Sequence, residues 1–286
     1  MNKIIALIVS YNNALELKNT VIHLIKQVNE ILVLDNNSNS EELELLSGIC
    51  DELKVEFIQL KKNYGISGAL NYGFKLAKLK KARWVLTMDQ DSAAMPGMVS
   101  NMIKAALQYG DEAIICPTIL KDSDLKEFDE KKRKHNIEIK SSITSGNLIP
   151  MELFEQVGEF NEDYFIDSVD FEYNLRARNK GYKIIQSGDA YLKHKLGDLR
   201  IVNLILYEWN YVVHNPLRRY YMYRNHIKLS RDYFRIYPIF IIKKTLLIIF
   251  MLIEILIFDK NRYENIKYIV LGIKDGIMNR NSLNGN

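Results

Sequence analysis

The chain has 286 residues, of which 48% are hydrophobic and 26% charged, so it can bury a substantial core and is not a disordered protein. Its formal net charge of +4 is too small to indicate a nucleic-acid-binding protein. The two cysteines, Cys50 and Cys116, exclude a disulfide scaffold and stand in no metal-binding spacing. The first apolar run, Ile4 to Val9, is shorter than the core of a signal peptide, so we expect a cytoplasmic protein.

The first hundred residues alternate apolar runs typical of strands with stretches of helical periodicity. The predicted strands are Ile4–Val9, Ile31–Leu34, Val55–Gln59 and Trp84–Met88. The predicted helices between them are Ala14–Gln27, Glu41–Leu53 and Ser67–Leu79. This alternation predicts right-handed βαβ crossovers, and therefore an α/β fold with a mostly parallel central sheet flanked by helices.

The pattern continues less regularly in the second half of the chain. The predicted elements are the helix Pro96–Tyr109, the strand Ala113–Cys116, the short helix Glu152–Val157, the helix Asp170–Lys180 and the strand Lys183–Gln186. The charged stretch Lys121–Lys140 has no periodicity, and we expect it to be an exposed excursion. From about Pro216 the sequence is rich in Tyr, Arg and long apolar residues, which predicts a helical appendage.

A polar cluster follows each of the first four predicted strands. In chain order the clusters are Ser10-Tyr11-Asn12, Asp35-Asn36-Asn37-Ser38, Asn63-Tyr64-Gly65 and Asp89-Gln90-Asp91. The carboxyl ends of parallel strands meet at one edge of the sheet, which is the usual place for a nucleotide. Neither a G-x-G-x-x-G after the first strand nor a P-loop is present, which disfavours a dinucleotide oxidoreductase and a P-loop enzyme.

Asp89 and Asp91 stand two residues apart at the end of the fourth strand. Successive side chains of a strand alternate between its faces, so the two carboxylates would project to the same side. Like charges held close together repel unless a cation or a shared proton neutralises them. The pair therefore predicts a divalent metal site that holds phosphates.

The four clusters, together with Asn63-x-Gly65-x-x-Gly68-Ala69-x-Asn71, resemble the family-2 glycosyltransferases of the GT-A fold over roughly residues 1–200. The resemblance implies that Asp35 contacts the base or ribose of a nucleotide sugar, and that Asp91 binds the Mg²⁺ or Mn²⁺ on its diphosphate. The resemblance also implies that Asp89 binds the sugar-nucleotide side of the donor. The donor-binding residues implied in this way are Ser10, Tyr11, Asn12, Asp35, Asn37, Asn63, Gly65, Asn71, Asp89 and Gln90.

The segment from Tyr164 to Glu172 resembles the acidic acceptor-side motif of the same family. The resemblance implies that Asp170 is the general base that deprotonates the acceptor hydroxyl, and Asp167 is the other carboxylate that could share this task. Both aspartates could also stabilise a helix N-terminus, and a helix N-terminus would keep Asp170 ionised. Glu172 and Arg176 are spaced i, i+4 and are expected to form a supporting salt bridge.

Two further segments match the family. His194, which follows a predicted strand, is implied as a second metal ligand or a diphosphate contact, although a lone histidine can also be purely structural. The segment Thr144-Ser145-Gly146-Asn147 resembles the acceptor or donor-sugar loop, in which Gly146 would permit close approach. Ser145, Gly146, Asn147 and Asp167 are therefore assigned to the acceptor or sugar loop.

The basic segment Arg218-Arg219-Tyr220-Tyr221-x-x-Arg224-Asn225 narrows the resemblance. Combined with Phe165-Ile166-Asp167-x-Val169-Asp170 and His194-x-x-Gly197, it is similar to bacterial rhamnosyltransferases that build surface polysaccharide. Guanidinium groups suit phosphate or an anionic lipid head group, so Arg218, Arg219 and Arg224 are assigned to such contacts. The alternative is that they extend along an amphipathic helix and only solvate it.

The run from Thr245 to Phe258 is apolar except for Thr245 and Glu254, and it is shorter than the roughly 20 residues that span a bilayer. Lys243 and Lys244 precede it, and Asp259 and Lys260 follow it. The sequence leaves two interpretations open, a helix that lies on the membrane face and a helix buried on the domain or in a homodimer interface.

The sequence therefore predicts a catalytic domain over residues 1–215 and a basic, apolar helical region over residues 216–286. Within the first, a nucleotide-sugar half covers about 1–118 and an acceptor half about 119–215. The resemblance implies an inverting transferase that moves L-rhamnose from dTDP-L-rhamnose to a hydroxyl of a surface polysaccharide or a lipid-linked glycan, at the inner face of the bacterial membrane. The alternatives are a transferase of glucose or galactose from a UDP donor and a non-catalytic scaffold that binds nucleotide sugar.

Overall fold

The structure is a computed structural model that describes residues 3–120, 135–194, 198–203 and 208–280. By compactness the chain divides into two units. The first unit comprises Met1–Glu162 and Val169–Lys195, and the second comprises Asp163–Ser168 and Leu196–Asn286. This division falls between Lys195 and Leu196, before the predicted domain boundary at residue 215, and it assigns a short segment before Asp170 to the second unit.

The first unit contains a nine-stranded sheet with helices between its strands. The strands are β1 (Ile4–Ser10), β2 (Glu30–Asp35), β3 (Glu56–Gln59), β4 (Trp84–Asp89), β5 (Ser92–Ala94), β6 (Ala113–Leu120), β7 (Ile137–Glu138), β8 (Asn147–Pro150) and β9 (Lys183–His194). The helices are α1 (Ala14–Leu24), α2 (Ser40–Leu53), α3 (Gly65–Leu79), α4 (Met98–Tyr109), α5 (Met151–Val157) and α6 (Val169–Asn179). The expected α/β class is confirmed.

The sheet has the strand order β3-β2-β1-β4-β8-β6-β9-β5, with β7 added beside β9. The pairings β3–β2, β2–β1, β1–β4 and β6–β9 are parallel. The pairings β4–β8, β8–β6, β9–β5 and β7–β9 are antiparallel. The sheet is thus mixed: its parallel pairings join β1 to β4 and β6 to β9, and its other pairings are antiparallel. The difference from the expected mostly parallel sheet arises because β5, β7 and β8 are short strands whose sequences carry no clear alternation.

The core of the first unit lies on both faces of β1, β2 and β4, which are almost wholly buried. Strands covered on both faces need continuous apolar runs, and β1 (IIALIVS) and β4 (WVLTMD) supply them. Helix α2 begins where its N-cap Asn39 accepts a hydrogen bond from Glu42 N–H at 3.0 Å. The strands and helices predicted for the first hundred residues are all present, with ends shifted by at most three residues.

The second unit contains the antiparallel hairpin β10 (Asp198–Asn203) and β11 (Glu208–Val213), followed by α7 (Pro216–Tyr233), α8 (Pro238–Phe258) and α9 (Arg262–Ile277). The predicted C-terminal helices are confirmed. Asn215 caps α7 by accepting from Arg218 N–H at 2.7 Å, and Pro216 occupies the first turn, where its missing N–H costs nothing. Helices α7 and α9 pack closely because α9 carries glycine at the contact, where a Cβ on Gly272 would meet the carbonyl oxygen of Tyr220.

Across the parts of the chain that the structure describes, none of the helices combines the length and the hydropathy that crossing a bilayer requires. Residues 121–134 of the charged excursion lie outside the described residues, and so do Lys195, Leu196 and Gly197. The described end of the excursion contains β7, whose two residues are exposed. The hairpin β10–β11 and the strands β5 and β7 were not among the predicted elements.

Candidate active site

The ends of β1 to β4 form one edge of the sheet, as the sequence predicts. Ser10 of β1 is the register partner of Asp35 of β2, and Asp35 is in turn the partner of Gln59 of β3. On the other side of β1, Val9 is the partner of Asp89 at the end of β4. The polar clusters of the first, second and fourth strands therefore lie side by side along a single row.

Gln90 joins the ends of β1 and β4. Its Oε1 accepts hydrogen bonds from Ser10 Oγ at 2.7 Å and from Tyr11 N–H at 2.9 Å, and its Nε2 donates to Tyr11 O at 3.2 Å. Ser10 is fully buried, whereas the Tyr11 ring is 48% exposed. Gln90 and Ser10 therefore position this edge, and Tyr11 is the member of the group that offers a surface to a ligand.

The cluster after β2 holds a buried aspartate next to an exposed asparagine. Asp35 has no exposed surface, and its carboxylate accepts from both the backbone N–H and the hydroxyl of Ser38. Ser38 Oγ also accepts from Asn12 N–H at 2.9 Å, which ties the first cluster to the second. Asn12 and Asn37 are both exposed and both in the left-handed region, at φ +48° and +68°. Such positions tolerate Asn better than most residues.

Two asparagines that follow β3, Asn63 and Asn71, make hydrogen bonds within the fold. Asn63 Oδ1 accepts from Gly65 N–H at 2.9 Å, and Gly65 starts α3 at φ +70°, which favours glycine. Asn71 is only 1% exposed, and its amide bonds Phe160 N–H, Phe160 O and the Glu162 carboxylate at 2.8–3.0 Å. We therefore correct the expected donor contact of Asn71 to a positioning role, because both ends of its amide are already bonded within the fold.

Three candidate metal ligands meet at the end of β4. Asp89, Asp91 and His194 each offer one ligand atom, and these atoms all lie within 4.8 Å of one another. The antiparallel pairing of β5 with β9 brings His194 there, since Ser92 is the register partner of His194. Two carboxylates and one imidazole at this spacing fit a divalent cation such as Mg²⁺ or Mn²⁺. Asp89, expected to contact the donor, is thus also within reach of the predicted cation.

A hydrogen-bonded chain holds the histidine. His194 Nδ1 lies 2.8 Å from Ser92 Oγ, and Ser92 Oγ lies 2.8 Å from Ser145 Oγ. Ser145 Oγ also accepts from Asp89 N–H at 3.1 Å, so the chain returns to the carboxylate pair. Burial lowers the pKa of His194, although Asp91 at 3.9 Å acts in the opposite direction. A neutral imidazole is the form that binds a metal.

The segment Ser145 to Asn147 is buried and does not form an exposed loop. Ser145 has no exposed surface and Asn147 only 4%. Gly146 adopts φ +85°, and a Cβ there would lie 2.7 Å from Pro117 Cγ. Glycine is therefore required for close packing of the protein on itself. We correct the expected contact of these residues with acceptor or sugar to a supporting role beneath Asp89.

Asp170 lies in the first turn of α6, as expected, and its Oδ1 accepts from Phe171 N–H at 2.8 Å. The positive end of the helix dipole favours an ionised carboxylate at this place. One turn later, the expected salt bridge is confirmed, with Arg176 Nε 2.9 Å from Glu172 Oε1. Arg176 also donates to the carbonyl oxygens of Val157 and Glu159, so this pair anchors α6.

Asn174, four residues after Asp170, lies on the same face of α6. It donates to Ser142 O at 2.8 Å, and Ser142 Oγ donates to Asn147 Oδ1 at 2.9 Å. Asn147 is the register partner of Thr87, two residues before Asp89. These hydrogen bonds tie the face of α6 that carries Asp170 to the strands beside Asp89.

Asp167 belongs to the second unit and is held there by α7. Arg218 binds its carboxylate with Nε at 3.2 Å and Nη2 at 3.3 Å. Asn225 Nδ2 donates to the carbonyl oxygens of Ile166 and Asp167, both at 2.8 Å. Asp167 and Ser168 are both left-handed, at φ +64° and +63°, which is costly for residues other than glycine. The hydrogen bonds from α7 compensate for this conformation.

Two of the three arginines assigned to phosphate or lipid are buried. Arg219 is 1% exposed and Arg224 has no exposed surface. Arg224 donates to the carbonyl oxygens of Asp163 and Arg280, both at 2.8 Å, and Arg219 to Val212 O at 3.2 Å. We therefore correct Arg219 and Arg224 to structural residues, because guanidinium groups buried to this extent are not accessible to a phosphate or a lipid head group. Arg218, with 42% of its side chain exposed, remains available.

Three positioning residues were not assigned from the sequence: Ser92, Asn174 and Asn225. Ser92 directly follows the carboxylate pair, so its place beside Asp91 was visible in the sequence, but its bond to His194 spans 102 positions. Asn225 stands in the basic motif next to Arg224, where an uncharged residue among arginines was the available signal. Asn174 carried no signal beyond its i+4 spacing from Asp170.

The comparisons with known proteins give the family of the chain. The model of the Glycosyl transferase family 2 matches residues 5–167, more than half of the chain. The chain therefore belongs to family 2 of the glycosyltransferases and is a glycosyltransferase enzyme.

Among individual proteins, the chain is 31% identical to the dTDP-rhamnosyl transferase RfbF of Shigella flexneri over 96% of both sequences. It is 24% identical to the low-salt glycan biosynthesis hexosyltransferase Agl10 of Haloferax volcanii, over 96% of this chain and 91% of that protein. The crystal structure of GalNAc-T7 with UDP, GalNAc and Mn²⁺ superposes with a TM-score of 0.61 at 15% identity over 81% of this chain. The chain spans about half of that structure, 48%, and the likeness concerns the GT-A fold alone.

Proposed function

We propose that the protein transfers L-rhamnose from dTDP-L-rhamnose to a hydroxyl of a cell-surface polysaccharide or a lipid-linked glycan precursor, with inversion at the anomeric carbon. The observation that carries this proposal is the 31% identity to a dTDP-rhamnosyl transferase over 96% of both chains. The supporting observation is the cluster of Asp89, Asp91 and His194 at the carboxyl edge of the sheet, where a nucleotide diphosphate would lie.

Asp170 is the proposed general base. Its carboxylate removes the proton of the acceptor hydroxyl while that oxygen attacks the anomeric carbon, and the bond from this carbon to the diphosphate oxygen breaks. A single displacement inverts the anomeric centre and needs no covalent enzyme intermediate. The positive end of the α6 dipole favours a negative charge at Asp170, and the Glu172–Arg176 pair fixes the helix that carries it.

Asp91, Asp89 and His194 are the proposed metal ligands, and Ser92 orients His194 through the 2.8 Å hydrogen bond. When bound, Mg²⁺ or Mn²⁺ would neutralise the charge that develops on the leaving diphosphate. On the nucleoside side, the half-exposed Tyr11 ring offers a surface for the base, with the exposed Asn12 and Asn37 beside it. The buried Asp35 holds this corner through Ser38.

The test is a panel of nucleotide sugars incubated with the protein and either Mn²⁺ or EDTA, with release of nucleoside diphosphate as the readout. We expect dTDP-L-rhamnose with Mn²⁺ to give the fastest release and the largest rise in melting temperature, since a bound ligand stabilises the folded state. UDP-glucose and UDP-galactose test the alternative of UDP-hexose transfer, which the likeness to a hexosyltransferase supports. Release from none of the donors, with lipid-linked acceptors present, would favour a non-catalytic scaffold and contradict the proposal.

We further infer that α8 lies on the surface of an anionic membrane. Nine large apolar side chains of this helix are each 44–61% exposed, from Ile239 to Ile257. Exposed lysines, Lys243 and Lys260, flank the apolar run, which matches the charge of an anionic lipid surface. Such a helix would place the enzyme at the inner face of the membrane, where a lipid-linked acceptor is available.

Flotation with vesicles of phosphatidylcholine and phosphatidylglycerol tests this inference. Replacing two exposed residues of α8, Ile249→Gln with Ile253→Gln, should reduce vesicle binding about tenfold or more, because each buried isoleucine contributes about 1.5–3 kcal/mol. The matched control is Leu79→Gln, since Leu79 is 78% exposed but lies on α3 of the first unit. Equal flotation of all variants, or a dimer in sedimentation that the α8 substitutions abolish, would instead indicate that a second copy covers α8.

A further inference from the structure

The second unit contains a cavity of about 550 Å³ that has no part in the proposed donor site. It lies between the hairpin β10–β11, the start of α7 and the turn from α8 to α9. The residues that line it are Arg200, Val213, His214, Asn215, Pro216, Arg218, Asp259, Lys260, Asn261 and Asn265. A volume of this size is typical of small-ligand sites.

The charge of the cavity is positive. Arg200, Arg218 and Lys260 line it against a single carboxylate, Asp259. That carboxylate is 5% exposed and already accepts from Asn261 N–H at 2.9 Å and Asn265 Nδ2 at 3.0 Å. Arg218 is paired with Asp167, but Arg200 and Lys260 have no acidic partner among the described residues. The cavity therefore presents two uncompensated cations to a ligand.

Two helices begin at the cavity, which adds to its affinity for an anion. Asn215 and Pro216 stand at the N-terminus of α7, and Asn261 precedes the first residue of α9. The side chain of Asn261 makes no capping hydrogen bond, so it leaves the first-turn N–H groups of this 16-residue helix to other acceptors. The positive ends of two helix dipoles at one cavity favour phosphate.

One buried polar atom at the cavity, Asn265 Oδ1, could accept a hydrogen bond from a ligand hydroxyl. Asn265 is 2% exposed, and its Oδ1 has no hydrogen-bond partner within the part of the chain that the structure describes. A buried acceptor without a donor is destabilising, so a ligand hydroxyl that donates to it would be favoured. Burial and the neighbouring Arg218 and Arg219 lower the pKa of His214 to about 3, so at neutral pH its imidazole is uncharged and offers one N–H donor.

We propose that this cavity binds the phosphate of the acceptor, as a glycosyl phosphate or diphosphate whose sugar hydroxyl reaches Asn265. The inference rests on the proposed function only where it identifies the ligand as the acceptor substrate. The cationic side chains and the helix ends that line the cavity are independent of that function. A lipid-linked acceptor fits because α8, with its exposed apolar side chains, ends directly at the cavity with Asp259 and Lys260. A soluble glycan phosphate would satisfy the same groups.

The test measures calorimetric binding of three probes to the whole protein in EDTA, which removes any contribution from a metal at Asp91. The probes are inorganic pyrophosphate, glucose 1-phosphate and farnesyl diphosphate. The variant is Arg200→Gln with Lys260→Gln, and the control is Lys267→Gln, because Lys267 is an exposed lysine of α9 outside the cavity. Thermal unfolding of each variant is measured to check that its fold is retained.

We expect at least one probe to bind the unmodified protein with a Kd below about 1 mM. The double substitution should weaken that binding about tenfold or more, since it removes two charge-assisted hydrogen bonds, and Lys267→Gln should not. Tighter binding of farnesyl diphosphate than of pyrophosphate would identify a lipid-linked ligand. Tighter binding of glucose 1-phosphate would identify a soluble glycan phosphate.

Any of three results with these probes would overturn the proposal: no saturable binding of any probe, an unchanged Kd in the double variant, or an equal loss in the Lys267→Gln control. A parallel titration with dTDP and Mn²⁺ separates the cavity from the donor site. If the double variant loses dTDP affinity to the same extent, the cavity serves the donor and the inference is wrong. These experiments measure binding and not turnover. They can therefore be interpreted even if the protein does not turn over dTDP-L-rhamnose.

Discussion

The carboxyl edge of the sheet in the first unit and helix α7 in the second unit both carry residues that the sequence marked as functional. At the edge, the expected convergence is observed: Ser10, Asp35 and Asp89 lie in one row. On α7, Arg219 and Arg224 are buried as structural groups. The place of a residue at the end of a parallel strand follows from topology, whereas the direction in which a helical arginine points depends on what packs around the helix.

The largest expected effect concerns Asp170, the proposed base on α6 of the first unit. Asp170→Asn should lower turnover about a thousandfold, because a general base contributes about 10²–10⁴ to the rate, and should leave donor binding unchanged. Steady-state kinetics with a separate dTDP titration measures both. The matched variant Asp167→Asn removes the other carboxylate, which Arg218 binds, and should cost much less. The reverse order of the two losses would reassign the base to Asp167.

The second prediction tests whether Arg224 of α7 stabilises the fold. Arg224→Met should lower the free energy of unfolding by roughly 3 kcal/mol, because it removes a fully buried guanidinium group that donates to Asp163 O and Arg280 O. Arg218→Met, at a partly exposed ion pair, should cost less, about 1 kcal/mol. Urea unfolding of both variants gives the comparison. Equal stabilities would mean that Arg224 is not a structural residue.

A third prediction concerns the support beneath Asp89. Gly146→Ala should destabilise the protein by about 2 kcal/mol, since alanine is strained at φ +85° and its Cβ would lie 2.7 Å from Pro117 Cγ. Gly48→Ala is the control, because a Cβ at Gly48 meets nothing within 4 Å and that helical position favours alanine. A neutral effect of Gly146→Ala in urea unfolding would show that the segment is not packed as described.

The smallest expected effect is on metal affinity. Ser92→Ala removes the hydroxyl that lies 2.8 Å from His194 Nδ1, and residues of this kind typically change metal affinity about 10–100-fold. We expect Mn²⁺ binding, measured by titration of the donor complex, to weaken about tenfold with the fold unchanged. Ser100→Ala is a suitable control, since Ser100 is exposed on α4 and its Oγ donates to Gly97 O at 2.9 Å, away from the proposed ligands. Unaltered Mn²⁺ affinity in Ser92→Ala would remove Ser92 from the site.

The fold of residues 1–118 and the donor edge could be predicted because continuous apolar strands alternate with periodic helices and because parallel connections allow few topologies. The antiparallel strands could not. The predicted strand Lys183–Gln186 runs on to His194, since polar residues such as Lys193 and His194 continue it by pairing with β5. Buried groups such as Asp35 and Arg224 were also unpredictable, because residues of these types are rarely buried unless partners far along the chain satisfy them.

The assignment of Asp163–Ser168 to the second unit has a consequence for dissecting this enzyme. The chain leaves the first unit for six residues, which Asn225 and Arg218 hold in the second unit, and then returns to begin α6, the helix with the proposed general base. A fragment that ends with the last sheet strand would keep every donor residue and lose the restraint on the approach to Asp170. The proposed assignment of Asp170 as the base therefore predicts that exchanging the C-terminal helices between related transferases changes turnover as well as partner choice.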